Sequence, residues 1–404
     1  MLVAVALVGA CAPGGGGTSP AGERTSELLF VSGSSGLSAL NPVDYHVEFS
    51  TGATVAAPGW QSLFSTDTIG RSTTISILDP ATGTTRSSVD APGNLELGVV
   101  SGSGETAALV RSGAHGPNPW TPTPRRQTTL YVARPASGAV ETYELEGNFE
   151  PEAFGVGDYD LFLIEHVPAL NPRAYRVRVL ELDTGKVRDV DGLDKLAPDK
   201  MRGIGRMQAF DPAGNRLYTL YTQQPANYVH GGSPATTPRA DEKVHAFVHV
   251  LSLDEDSAHC IDLPAGFGLR APESNAIAVS DDALFAVDGA TGNVAAIDPD
   301  TYRLLAMSNV ALGTPGAPAV GAARGRRLYV AQGSTVAVLA GDSLAVRDRW
   351  PITGEATAVG ASAGRVFVAT ADAMYVFDAA TGRRLGSVPQ AGIDAIDLVG
   401  GLGG

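Results

Sequence analysis

Cysteine is almost absent from this sequence: its 404 residues include two, Cys11 and Cys260. Cys11 follows a short apolar leader, and its lipidation would leave Cys260 alone, so that no intrachain disulfide forms. Cys260 is then expected to behave as a small, buried apolar side chain. A disulfide between Cys11 and Cys260 is the alternative.

Basic residues are also scarce, because 29 Lys and Arg stand against 43 Asp and Glu and give a net charge of -14. Nucleic-acid binding depends on clustered cations that neutralise phosphates, so this class of partner is excluded. After the N-terminal leader, no segment approaches the roughly 20 apolar residues that span a bilayer. A sustained 3.6-residue apolar period is missing as well, which excludes a helical solenoid.

Turn residues are abundant instead, with 49 Gly and 26 Pro set between short apolar segments. An apolar strand, a turn rich in Asp or Gly, and a second strand recur along the chain. Glycine in such a turn supplies the positive φ that a tight hairpin needs. Eight copies of this unit occur, at residues 37–49, 75–85, 130–145, 177–190, 248–263, 294–307, 336–350 and 374–388.

Each copy follows another apolar strand, and the copies are spaced by roughly 40 to 70 residues, as in four-stranded propeller blades. We therefore predict an all-β fold, a single β-propeller over residues 27–400 with a tail at 401–404. Eight blades are predicted, with seven as the runner-up because the first copy is degenerate. The first unit lacks an innermost strand, and residues 393–399 are predicted to supply it and close the ring.

The N-terminal leader carries a localisation signal. Residues 2–10 are apolar, and Val8, Gly9, Ala10 and Cys11 resemble the lipobox of bacterial lipoproteins, in which the cysteine is lipidated. We predict a signal peptide at 1–10, lipidation of Cys11 and a flexible tether at 11–26. The protein is then anchored to the cell membrane on its extracytoplasmic face. In the alternative interpretation, Cys11 is incidental.

Three patterns resemble reactive or metal-binding motifs but lack the required context. Residues 360–364 match G-x-S-x-G, yet they join two strands and no His follows, which predicts a hairpin turn. His245 and His249 are separated by roughly 13 Å of extended chain, too far to share one metal ion. The acidic turns at 254–256 and 298–300 lack the spacing of a calcium loop. No catalytic residue, metal site or cofactor is predicted.

The turn sequences DPATG at 79–83, LDTG at 182–185 and DAATG at 378–382 each follow a β-branched or aromatic strand. In this respect the chain resembles the blades of YVTN-type and quinoprotein-like propellers of bacterial secreted proteins. The resemblance covers nearly all of the chain after the tether and implies the fold only. Quinoprotein dehydrogenases usually carry adjacent cysteines over the cofactor and a Trp in most blades, whereas this chain has no adjacent cysteines and three Trp.

Long segments separate the second and third strands of units three, four and five, at 112–127, 166–174 and 223–243. Equivalent loops of successive blades emerge on the same face, so these segments predict one contiguous binding surface. Aromatic, cationic and imidazole groups there suit a polar or peptide-like partner. The candidate binding residues are His115, Trp120, Arg125, Arg126, His166, Arg173, Tyr228 and His230.

These patterns together predict a non-catalytic binding or scaffold module of the bacterial cell envelope. Two alternatives stay open. The long segments are surface insertions without a partner, or the protein is an extracytoplasmic enzyme of oxidoreductase or lactonase type that uses the central channel of the propeller.

Overall fold

The chain folds into a ring of eight β-sheets in a computed structural model, which describes residues 27–113, 123–192, 201–203, 205–225, 244–400 and 402. Each sheet is one blade of four antiparallel strands, which run in sequence order from the axis to the rim except that the last strand of the chain is innermost in blade 1. The prediction of an all-β propeller with eight blades is confirmed.

Blades 1 to 4 come from the first half of the chain. Their strands are, for blade 1, β1 (Leu28–Gly33), β2 (Gly36–Leu40) and β3 (Val47–Thr51); for blade 2, β4 (Thr54–Ala56), β5 (Leu63–Ile69), β6 (Ser72–Leu78) and β7 (Thr85–Pro92); for blade 3, β8 (Leu95–Val100), β9 (Ala107–Arg111), β10 (Gln127–Arg134) and β11 (Ala139–Glu146); and for blade 4, β12 (Asn148–Phe154), β13 (Asp160–Val167), β14 (Ala174–Glu181) and β15 (Lys186–Asp189).

Blades 5 to 8 follow, and the two-residue β16 adds a parallel fifth strand to the outer edge of blade 5. Their strands are, for blade 5, β16 (Asp191–Gly192), β17 (Gly205–Asp211), β18 (Arg216–Thr222), β19 (Phe247–Ser252) and β20 (Ser257–Asp262); for blade 6, β21 (Asn275–Val279), β22 (Leu284–Asp288), β23 (Asn293–Ile297) and β24 (Leu304–Asn309); for blade 7, β25 (Ala319–Arg324), β26 (Arg327–Gln332), β27 (Thr335–Ala340) and β28 (Val346–Pro351); and for blade 8, β29 (Ala356–Ala361), β30 (Arg365–Thr370), β31 (Ala373–Asp378) and β32 (Arg384–Pro389).

The last strand, β33 (Ile393–Val399), closes the ring. It pairs antiparallel with β1, with Val31 opposite Ile396, and so becomes the innermost strand of blade 1. The predicted closure is confirmed. Because the two ends of the described chain share one sheet, blade 1 presents no unpaired inner edge.

Strand burial follows position in the blade. The second and third strands are sandwiched between neighbouring blades, so they are nearly continuous apolar runs, as in β22 and β23. The fourth strands lie at the rim, and β24 and β32 expose alternate residues to solvent. Burial of apolar side chains contributes on the order of 25 cal/mol per Å² removed from water, so the inner strands provide most of the stabilisation.

The hydrophobic core is divided among the blade interfaces. Among the described residues, eight apolar clusters are found, each formed by two neighbouring blades. The cluster between blades 8 and 1 contains Leu29 and Val31 of β1 together with Phe367 of β30 and Ile396 of β33. The closing strand therefore packs into a core as well as pairing with β1.

The repeated turns are held by their Asp and Gly residues. Asp378 Oδ1 accepts hydrogen bonds from the backbone N–H of Ala380 and Thr381, at 3.1 and 2.8 Å. Gly382 then adopts a φ of 69°, a conformation that glycine enters without a steric penalty. Residues 362–364 likewise form a turn between β29 and β30, as predicted for the G-x-S-x-G pattern.

Two faces of the ring are distinguished by their loops. Antiparallel strand order places the loops between second and third strands on one face, which we call the long-loop face. The segments that follow Arg111, Val167 and Thr222 leave their strands on this face. Turns between first and second strands emerge on the opposite face. In the described part of the chain, no helix is long and apolar enough to cross a membrane.

Candidate binding site at the channel wall and long-loop face

Buried charges line the central channel where blades 4 and 5 meet. The first strands lie nearest the axis, and several neighbouring pairs of them are in contact, such as β8 with β12 and β17 with β21. Where blades 4 and 5 meet, the contact between β12 and β17 is made by side chains. Glu150 and Glu152 lie on β12 of blade 4 and face one guanidinium from β17 of blade 5. Arg206 Nη2 lies 3.5 Å from Glu150 Oε2, and Nη1 lies 3.7 Å from Glu152 Oε2.

His166 and Gln208 extend this cluster toward the two faces of the ring. His166 Nε2, at the end of β13, lies 3.1 Å from Glu150 Oε2. On the other side, Gln208 of β17 donates a hydrogen bond of 2.7 Å to Glu152 Oε1. We call Glu150, Glu152, His166, Arg206 and Gln208 the channel cluster.

Burial and mutual charge set the protonation of this cluster. Burial raises the pKa of Glu152, and Glu150 adds to the rise, while Arg206 and the hydrogen bond from Gln208 oppose it. Burial lowers the pKa of Arg206, but the attraction of Glu152 and Glu150 outweighs this and holds it above its ordinary value. Arg206 therefore stays charged, and the Glu152 carboxyl takes up a proton more easily than an ordinary glutamate.

An aromatic column separates the channel cluster from the outer strands. The ring of Tyr221 lies 5.2 Å from the ring of Tyr175 and 5.2 Å from that of Phe247, both distances between centroids. Such spacing is typical of stabilising aromatic pairs. Burial raises the pKa of Tyr221 well above its ordinary value, and Glu152 adds to the rise. The cluster is thus held by rigid side chains of two blades.

Asn148 joins the loops of blades 3 and 4 on the long-loop face. Its side-chain amide donates hydrogen bonds to the carbonyl oxygens of Thr123 and Ala169, at 3.1 and 3.2 Å. Its Oδ1 accepts a 2.7 Å bond from Arg125 Nε, and the Arg125 backbone N–H donates to Ala169 O at 3.3 Å. Residues 123–126 of the blade 3 loop are therefore joined to residues 168–173 of the blade 4 loop.

Arg125 is partly buried in this junction, whereas Arg126 and Arg173 are exposed beside it. Burial lowers the pKa of Arg125, and the charges of Glu150 and Glu96 oppose that shift. The carbonyl oxygen of Arg126 accepts a bond from Gly147 N–H, and Arg173 N–H donates to Val167 O, so both backbones are fixed. Arg126 and Arg173 are therefore exposed side chains on backbone segments that hydrogen bonds hold in place.

Part of the third loop adjoins the same surface. Gln224 follows β18, and its Oε1 accepts a 2.9 Å bond from the backbone N–H of Arg202. The Tyr175 hydroxyl of blade 4 donates a 3.2 Å bond to Arg202 O. Blades 4 and 5 are thus also linked at this face. The remaining predicted residues, His115, Trp120, Tyr228 and His230, lie outside the described residues, as does Cys11.

His166 differs from its predicted position. The sequence placed it at the start of a loop, but β13 continues to Val167 because His166 and Val167 pair with Tyr175 and Ala174 of β14. The residue is 5% exposed. It therefore contacts Glu150 in the channel cluster and is not a surface residue of the long-loop face.

The sequence analysis missed Glu150, Glu152, Arg206 and Gln208. A signal for them exists in the strand sequences NFEPEAF and GRMQAFD, where polar residues alternate within otherwise apolar first strands. First strands are enclosed by their neighbours, so polar side chains there need partners across the blade interface. That alternation indicates buried polar groups but not which residues pair with them.

The two arrangements suit different chemistry. Exposed guanidinium groups bind carboxylates and phosphates through bidentate pairs of hydrogen bonds. The channel cluster provides a buried carboxyl with a raised pKa, a group suited to proton transfer or to pairing with a cation. Within the described ranges, no group of three or more His, Cys, Asp or Glu side chains is placed to hold a metal ion.

Comparisons with known proteins establish the fold. No protein-family model matches the sequence, and no curated protein matches it. Among solved structures, apo AztD from Citrobacter koseri has a TM-score of 0.56 at 9% identity, over 93% of this chain and 99% of AztD. The dihydro-heme d1 dehydrogenase NirN in complex with DHE has a TM-score of 0.54 at 12% identity, over 94% of this chain and 77% of that one.

The computationally designed protein Ika8 is similar as well, with a TM-score of 0.50 at 11% identity over 86% of this chain and 94% of Ika8. At these identities the likeness shows the fold alone. The chain is a β-propeller. Its activity and partners must be argued from its own residues.

Proposed function

We propose that this chain is a surface-tethered lipoprotein of the bacterial cell envelope whose propeller binds a partner without catalysing a reaction. One observation carries the proposal. Asn148 joins the loops of blades 3 and 4 into an ordered surface on the long-loop face, and this surface presents Arg126 and Arg173 to solvent.

The partner we propose is peptide-like and bears carboxylates. Arginine forms paired hydrogen bonds to a carboxylate, and it is enriched among the residues that dominate binding energy at interfaces. Two exposed cations on the joined loops of blades 3 and 4 are notable in a chain whose net charge is -14. His115 and Trp120 of the blade 3 segment and Tyr228 and His230 of the blade 5 segment are included in the proposal from the sequence alone, since they lie outside the described residues.

Substitution of the exposed arginines tests this surface. We expect the double variant Arg126→Ala, Arg173→Ala to recover its partner from envelope extracts at least tenfold less well than the parent, because exposed charges at a binding surface raise the association rate. The matched control is Arg347→Ala, an exposed arginine on β28 of blade 7. Equal recovery by all three proteins would refute binding at this surface.

The proposed tether depends on Cys11. Lipidation of Cys11, followed by a Gly- and Pro-rich segment, would hold the propeller near the outer side of the cell membrane. We expect Cys11→Ala to move the protein from the membrane pellet to the supernatant on fractionation, while Cys260→Ala stays in the pellet. A Cys11→Ala protein that remains in the pellet as firmly as the parent would contradict the lipoprotein assignment.

An extracytoplasmic enzyme is the second candidate, favoured by Glu152. Its carboxyl is buried in the channel wall with a raised pKa, a property that catalytic acids and bases share. An absorbance band of a bound cofactor, or turnover of lactone substrates that disappears in Glu152→Gln, would establish this candidate in place of the first.

A further inference from the structure

A cavity of about 360 Å³ opens on the face of the ring opposite the long loops. It lies where the first strands of four consecutive blades, 2 to 5, end and turn into their second strands. Its size falls in the roughly 300–1,000 Å³ range of small-molecule sites. The cavity is therefore separate from the arginine surface and large enough for a small organic ligand.

The walls of the cavity are largely apolar. Side chains from β4, β8, β12, β17 and β18, and from the turn after β19, converge on it and offer apolar surface to a bound hydrocarbon group. The valine at the mouth, Val156, is 54% exposed and so offers apolar surface to an entering ligand. The main apolar contributors are Val55, Val99, Phe154, Phe210, Leu217 and Leu253.

Both charged side chains that line the cavity are acidic, Glu152 and Asp158. Asp158 Oδ2 accepts hydrogen bonds of 2.6 and 2.7 Å from the hydroxyl groups of Ser103 and Thr106. Its Oδ1 is buried without a hydrogen-bond partner among the described residues. No arginine, lysine or histidine within the described ranges forms an ion pair with Asp158.

The Glu152 carboxylate is also only partly neutralised by nearby cations. Within the described part of the chain its ion-pair contact is with Arg206 Nη1, at 3.7 Å, and that arginine is shared with Glu150. A buried carboxylate is costly unless it is paired. The cavity thus combines an apolar interior with carboxylates whose countercharge is incomplete, and a cation would supply what is missing.

We propose that this cavity binds a small organic amine, whose ammonium group is neutralised by the Glu152 and Asp158 carboxylates and whose apolar body fills the space between the blades. A neutral molecule of the same shape gains only the apolar contacts. A carboxylate is rejected because it meets two like charges. The site therefore selects by charge among ligands of one size.

Isothermal titration with three ligands of matched shape tests the proposal: phenethylamine, 2-phenylethanol and 3-phenylpropionate. We expect the amine to bind at least tenfold more tightly than the alcohol and the carboxylate not to bind. Glu152→Gln should reduce the ratio of amine to alcohol affinity toward one. The matched control, Glu146→Gln, changes an exposed glutamate at the end of β11 and should leave the ratio unchanged.

A second variant keeps the test decisive if Glu152→Gln fails to fold. Val99→Phe fills the cavity and leaves both carboxylates in place, so it should abolish binding of the amine. The proposal is overturned if the amine binds no better than the alcohol, if none of the three ligands binds, if folded Glu152→Gln keeps the parent ratio, or if Val99→Phe still binds the amine.

Discussion

The guanidinium group of Arg206 lies between two buried carboxylates, those of Glu150 and Glu152. The side chains of the two glutamates are 7% and 5% exposed. Coulomb attraction in such a site is strong, but it mainly offsets the cost of removing three charges from water. The net contribution of the cluster to stability is therefore small, whereas the loss of one member is costly.

Removal of Arg206 tests this balance. We expect Arg206→Met to destabilise the fold by about 3–5 kcal/mol, because it leaves buried carboxylates without their cation. Addition of Glu152→Gln should restore part of that loss, since one of the two charges is then gone. Urea denaturation measures both effects.

The control for this experiment is Arg347→Met at the exposed arginine of β28, which should change stability by no more than about 0.5 kcal/mol. If Arg206→Met lost no more stability than this control, the carboxylates would be solvated through the channel, and the description of a buried network would be wrong.

At the scale of elements, β33 carries an unusual residue for a strand that closes a ring. Asp397 pairs in register with Phe30 of β1, and burial raises the pKa of Asp397 to about 8. In the unfolded chain an aspartate titrates near pH 3.9. The folded state thus favours the protonated carboxyl, and its contribution to stability falls as the pH rises from about 4 to about 8.

We expect the urea midpoint of the parent protein to decrease between pH 5 and pH 8 by more than that of Asp397→Asn, which cannot ionise. Above pH 8 the contribution of this group is already lost, so the two midpoints should then change in parallel. Asp394→Asn, at an exposed position of the same strand, is the control and should follow the parent. Parallel pH profiles for the parent and Asp397→Asn would contradict the assignment.

Elements were predictable where local sequence determines them. The third and fourth strands of each blade, with turns such as that at Asp378 and Gly382, repeat a recognisable pattern because hairpin geometry is local. The end of β13 was not predictable, since His166 stays in the strand through pairing with β14 and β12. The two-residue β16 depends on a parallel contact with β20, which no local pattern indicates.

The candidate site was less predictable than the fold. Arg125 was expected on the loop surface because loop position follows from strand order, but the structure turns its guanidinium toward Asn148 in a partly buried junction. The contact of Arg206 with Glu150 depends on which first strands become neighbours and on their relative register. Such contacts join distant parts of the sequence, so alternation within β12 and β17 could suggest buried polar groups but not their partners.

The whole molecule is a ring whose two faces differ in chemistry. The long-loop face presents arginines that Asn148 holds in order, and the opposite face opens into an apolar cavity lined by carboxylates. A closed ring of eight interfaces gives both faces a rigid base, because each blade is fixed by two neighbours. Ligands of opposite charge are thus expected at opposite faces of one propeller.

The central claim, that a partner binds the long-loop face, is tested most directly by site-specific photo-crosslinking in intact cells. A photoreactive amino acid would replace Arg126 or Arg173 on this face, and Asp281 or Asp342 in exposed turns of the opposite face. A partner bound to the long-loop face should give a discrete crosslinked species from positions 126 and 173 and none from positions 281 and 342. Crosslinks confined to positions 281 and 342, or the same species from all four positions, would contradict it.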